Sequence, residues 1–165
     1  MKISRTAQCL LGLSVCCLST VAVAVDWKKY ENSPDGFTMM VPAAGTVVTQ
    51  QLERGWAGIY SGDTTATLHG LSNLGANMPD AEIEKIAARA IGIPAAEWMT
   101  IGQGGDTHGW KHYSAFKAKS GSKYVLGEYG VGSKGSYFFY LETTVSEYDA
   151  HGRDYDHWYD AIWVK

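Results

Sequence analysis

Residues 110–144 hold three long extended runs divided by only two short breaks, and few folds can absorb that pattern. Trp110–Lys119, Lys123–Val131 and Ser136–Thr144 are rich in aromatic and β-branched residues, with Ser-Gly-Ser and Gly132–Gly135 between them. Breaks that short reverse the chain, so consecutive runs pair as an antiparallel meander. In the last run Phe138 and Tyr140 oppose Tyr137, Phe139 and Leu141. Bulk on both faces needs cover on both faces, which predicts a central strand. In the first run, strict alternation predicts that Trp110, His112, Ser114 and Phe116 face one way and Lys111, Tyr113, Ala115 and Lys117 the other.

Upstream, Ser33-Pro34-Asp35-Gly36 is a turn signal, followed by an extended Phe37–Val41 that Pro42 stops. Thr46–Gln51 is another extended run, and Arg54–Gly62 with Thr64–Leu74 reads as a hairpin about Ser61-Gly62-Asp63. The period then changes. Pro79–Gly92 sets Ile83, Ile86, Ala87, Ala90 and Ile91 on one side of a helix, with proline and acids at its front and glycine at its end. Residues 99–109 read as a glycine-rich connection. Grouped strands with few helices predict an α+β domain built on a mostly antiparallel sheet.

The amino terminus reads differently. Lys2 and Arg5 precede the apolar Cys9–Val23, and Ala22-Val23-Ala24 offers small residues for a signal peptidase. Residues 1–24 are expected to be a secretory signal peptide, leaving a single domain over residues 25–165. Cys16 and Cys17 bring a lipid anchor to mind, but the residue before either is Val15 or Cys16 rather than a small one. All three cysteines, Cys9, Cys16 and Cys17, would leave with the signal, so the mature chain would rest on its core without disulfides. It would carry 17 acidic against 12 basic residues, a net charge of −5 with histidine neutral, and it has no basic patch. That composition argues against nucleic acid as a partner. No further apolar run has the length of a membrane span. The expected location is periplasmic or secreted.

Residues 148–160, YDAHGRDYDHWYD, look at first like a metal or acid–base site. On a helical wheel Tyr148, His151, Gly152, Tyr155, Trp158, Tyr159 and Ile162 fall within an arc of about 120°. Asp149, Arg153, Asp156 and Asp160 fall on the flank, and His157 points away. The expectation is an amphipathic helix laying its aromatic arc on the sheet, with Ser146 as N-cap and Asp149 three residues on. His157 with Asp154 or Asp160 is the alternative, as a metal or proton site.

Other chemical motifs weaken on inspection. Gly130–Gly135 has the glycine spacing of a dinucleotide loop, but a strand follows where that loop needs a helix. His108 and His112 are four apart in a segment entering a strand, where that spacing spans about 13 Å and suits shared zinc poorly. His69 stands alone in a strand and is expected at a surface or edge. There is no G-x-S-x-G elbow, and Ser72 has no recognisable base beside it in sequence. No catalytic residue, cofactor site or metal site is therefore assigned.

The early Asp35-Gly36-Phe37 and Pro42, together with the late aromatic strand, Thr143-Thr144 and a helix bearing Trp158 and Ile162, resemble the PsbP-like superfamily. The pattern covers nearly all of residues 25–165 and is similar to the exported bacterial branch. The resemblance implies an α/β/α sandwich with a central antiparallel sheet and two main helices. It also implies a non-enzymatic role, binding a protein partner or stabilising an assembly. Metal ligands of the plant subunit find no matching motif here and are not carried over. The expected function is thus an exported scaffold domain that engages a protein partner in the cell envelope. Its candidate binding rim is Gly104, Gly105 and His108 with Trp56, Trp98 and Trp110, since aromatic residues beside glycines suit an interface; the competing role for these tryptophans is core filling. Two other classes stay open: a metal-dependent hydrolase using His108, His112 or His157 with carboxylates, and a glycan or small-ligand module using exposed tryptophans.

Overall fold

The computed structural model describes residues 26–165, apart from the side chains of His157 and Tyr159. The expected signal segment, its three cysteines and the expected site at His157 lie outside the described residues.

The elements run β1 (Trp27–Asn32), β2 (Phe37–Pro42), β3 (Thr46–Gln51), β4 (Ala57–Gly62), β5 (Ala66–Leu74), α1 (Asp80–Ile91), β6 (Met99–Gly104), β7 (Trp110–Ser120), β8 (Lys123–Gly132), β9 (Gly135–Thr144), α2 (Val145–Asp160) and β10 (Trp163–Val164). Seven strands form one antiparallel sheet in the order β3-β4-β5-β9-β8-β7-β6. β1, β2 and β10 form a smaller antiparallel sheet with β2 in the middle.

Each face of the large sheet carries its own core. On one face α1 sets Ile83, Ile86, Ala87 and Ile91 against Phe116, Val125, Tyr129 and Phe138. The other face is covered jointly by the small sheet and α2, through Phe37, Met39, Tyr155, Trp158 and Ile162 against Leu68, Leu126, Tyr137 and Phe139. β9 sits mid-sheet with bulk buried on both sides, as its sequence predicts. The architecture is α+β, a large antiparallel sheet covered on both faces, with two α-helices among the described residues.

Close approach sets one sequence requirement. A Cβ at Gly70 would lie 2.6 Å from the Met39 sulfur and 2.8 Å from the Phe37 ring. Only glycine lets β2 seat its side chains on β5 at that point.

The structure differs from the sequence expectation in three local ways. β6 is a paired edge strand where glycines suggested a connection; its partner β7 supplies the ladder that its own side chains do not advertise. α2 begins two residues earlier than expected. Thr144 Oγ1, not Ser146, accepts the Glu147 backbone N–H at 3.1 Å, so the capping pattern is Thr144-x-x-Glu147. Most consequential, β7 is bulged between Trp110 and His112. An extra residue reverses every side chain on one side of it. Trp110 therefore packs in the core beneath α2, while Phe116 packs beneath α1.

Candidate binding surface

β6 is an edge of the large sheet, and no residue in Met99–Gly104 is charged. An edge strand presents a row of unpaired N–H and C=O groups, which charged side chains often guard. Here the apolar residues are outward instead: Met99 is 59% and Ile101 41% exposed. The ladder with β7 slips between Thr100 and Gly102, leaving Ile101 as the bulged residue. The opposite edge, β3, is also uncharged and largely exposed, with Val48 as its exposed apolar residue.

The candidate rim residues part company in space. Trp98 leads into β6, but it stacks on Phe116 with ring centroids 4.0 Å apart and donates its indole N–H to the Ile93 carbonyl. Gly104 ends the strand, Gly105 follows it, and both are exposed. His108 lies in the next turn. Trp56 and Trp110 are 1% and 3% exposed and sit in cores on opposite faces of the sheet. A single rim of three tryptophans is therefore not what the structure forms. These two fill core volume: Trp56, which follows the short turn Glu53–Gly55, packs under α1, and the bulge turns Trp110 inward. Trp98, Gly104, Gly105 and His108 remain strung along one edge and its exit.

The exit is a tight loop. Asp106, His108 and Gly109 all have positive φ, at 58°, 50° and 84°. Trp110 donates its backbone N–H to the Thr107 carbonyl, and Asp106 donates to that of Trp110, both at 2.8 Å. Val164 of β10 donates to the His108 carbonyl at 2.9 Å, tying the chain's last strand to this loop. A Cβ on Gly109 would overlap the Val164 carbonyl. The His108 ring stacks on Trp163, which is 52% exposed.

Behind the loop is a cavity of about 150 Å³ lined by Thr107, His108, Trp110, Tyr113, Glu128 and Asp160. Glu128 is 4% exposed. Burial pushes its carboxyl up to about 8; the Trp110 indole N–H works against that shift, and the Asp160 carboxylate adds to it.

No protein-family model matches the sequence, and no curated protein matches it. Among solved structures, the chain is similar to the solution structure of cyanobacterial PsbP from Synechocystis sp. PCC 6803. The TM-score is 0.54 at 12% identity, over 88% of this chain and 96% of that one. The fold is PsbP-like. At that identity the likeness speaks for the fold alone, and the residues of the PsbP-like framework must be judged by their own surroundings.

The histidines illustrate the point. His112 bonds Asp80 at the start of α1, at 2.7 Å, across the face opposite the cavity. His108 is on the loop by Trp163, so the two do not meet in one pocket. His151 lies 3.8 Å from Glu147 and 3.9 Å from Asp154, its helical neighbours, at a kink in α2. His69 is not at an edge. It stacks between Tyr60 and Tyr140 on the adjoining strands, at 5.7 and 4.1 Å. Burial drives its imidazole down to about 4, aided by the charge of Lys123. Four residues of this surface and its cavity escaped the sequence reading: Met99, Ile101, Trp163 and Glu128. A positional signal existed only for Glu128, a lone acid in the otherwise uncharged run Tyr124–Gly132.

Proposed function

We propose that this chain is an exported, non-enzymatic binding domain that engages a protein partner in the cell envelope, with β6 as the docking edge. The observation that carries the reading is the exposed, uncharged β6 with Met99 and Ile101 outward. Such an edge suits an extended partner segment that adds an eighth strand: backbone hydrogen bonds give affinity and side-chain contacts give selectivity. Trp98 stiffens the entry to the strand and the Asp106–Gly109 loop fixes its exit. Export is supported by the composition of residues 1–24, and the PsbP-like fold is compatible with a binding role. The test is affinity capture with residues 25–165 as bait, wild type against Ile101→Lys. Ile101 is exposed and bulged, so the substitution should leave the thermal unfolding midpoint nearly unchanged. A charge on the edge should abolish capture.

A further inference from the structure

Glu128 is a buried acid. None of the described residues lining its cavity is lysine or arginine, and the other carboxyl there belongs to Asp160, whose charge acts on Glu128. A buried charge is ordinarily paired. Among the described residues, one donor, the Trp110 indole, favours the charged form of Glu128, although a carboxylate has about four acceptor positions. The remaining walls are the aromatic Trp110 and Tyr113, with Thr107 and His108 at the loop. The cavity volume corresponds to about five waters. It thus combines two carboxyls from different elements, aromatic faces, and space for a small planar head group. β7 brings the aromatics, β8 brings Glu128, α2 brings Asp160, and the loop leaving β6 brings His108.

Resting on the binding-module reading only for the source of the ligand, we propose that this cavity receives the guanidinium of an arginine from the partner protein. A guanidinium is planar and weakly hydrated, donates in a fork to carboxylates, and stacks on aromatic rings; an ammonium is a strongly hydrated point charge. The loop holding His108 leads directly from the docking edge to the cavity, so an arginine near the end of an added strand would reach it. Receiving the cation requires Glu128 to release its proton. Among the described residues, the titratable groups lining the cavity with it are Asp160, whose carboxylate would share the cation, Tyr113, and His108, whose protonation would oppose binding.

The test needs no partner. Methylguanidinium is titrated into residues 25–165 while the Trp110 indole signal is followed by nitrogen–proton NMR, assigned with Trp110→Phe. The expected result is saturable binding with a dissociation constant on the order of millimolar. Affinity should rise about tenfold per pH unit from acid pH and level off above about 8. The rise should persist in His108→Gln, which assigns it to Glu128. Glu128→Gln should abolish the pH dependence and most of the affinity, and Asp160→Asn should weaken binding several-fold while leaving that dependence in place. Binding without saturation, binding unchanged in both carboxyl variants, or methylammonium binding as tightly as methylguanidinium would each overturn the proposal. Should Glu128→Gln fail to fold, the pH profile of the wild type and the Asp160→Asn affinity decide it. Because the probe is a small ion, its failure leaves the edge-docking reading intact, and retained capture by Ile101→Lys, which would overturn edge docking, leaves this one intact.

Discussion

Glu128, buried, and His69, half-buried, are ionisable groups on opposite faces of one sheet, and they move stability with pH in opposite directions. Glu128 holds its proton in the folded chain up to about pH 8, against 4.5 unperturbed. Its contribution to stability is complete below about 4.5 and is lost as pH rises through 8. His69 refuses its proton until about pH 4, against 6.5. Its contribution is complete above about 6.5 and is lost as pH falls toward 4. Each group tilts stability by about 1.4 kcal/mol per pH unit inside its window. Between about pH 4.5 and 6.5 the two tilts oppose, and above 6.5 Glu128 acts alone. Urea midpoints across pH should therefore fall on the alkaline side for the wild type and for His69→Gln, and stay level there for Glu128→Gln. Neither group was legible as it stands in sequence. Histidine in a threonine-rich strand reads as exposed until Tyr60 and Tyr140 are known to flank it, and that depends on the register of three strands.

Local rules succeed at the scale of elements and fail where one residue is inserted. The meander of β7, β8 and β9, α1 with its Gly92 stop, and the aromatic arc of α2 follow from periodicity, since Tyr155, Trp158 and Ile162 are buried as the wheel requires. The bulge in β7 carries no signal in the alternation itself, yet it decides that Trp110 faces Glu128 rather than α1. The β6 edge was hidden for a related reason: Gly102, Gly104 and Gln103 have low strand preference, and the pairing comes from β7. Two substitutions probe this level. Thr144→Ala removes the cap of α2 and should cost about 1 kcal/mol by chemical denaturation. Gly70→Ala forces a methyl against Met39 and Phe37 and should cost about 1–3 kcal/mol, more than an alanine at Gly102, where the added methyl meets only the Ala115 Cβ at 3.8 Å.

For the whole molecule, the small sheet and α2 share one face of the large sheet, and β10 returns from α2 to close the loop beside β6. Lys165 completes this closure: its backbone N–H donates to the Gly36 carbonyl at 2.9 Å, and its carbonyl accepts from the Tyr137 hydroxyl at 2.6 Å. The β6 exit loop and its cavity thus rest on the early turn, the central strand and the chain's final residues together. The α+β class with its antiparallel sheet was readable from the residues because it follows from where bulk must be buried; cover on both faces of that sheet was what the resemblance implied. The docking edge was readable only in part, because exposure of Met99 and Ile101 is a property of strand order, which no local pattern states. The central claim is that β6 is the edge on which a partner strand is added. The most direct measurement is crosslinked capture from the native cell envelope, comparing residues 25–165 with Ile101→Lys and with Lys85→Glu on the exposed side of α1 as a control. The account predicts one stoichiometric partner with the wild type and with Lys85→Glu, and none with Ile101→Lys. Equal capture by all three chains, or no partner for any of them, would contradict it.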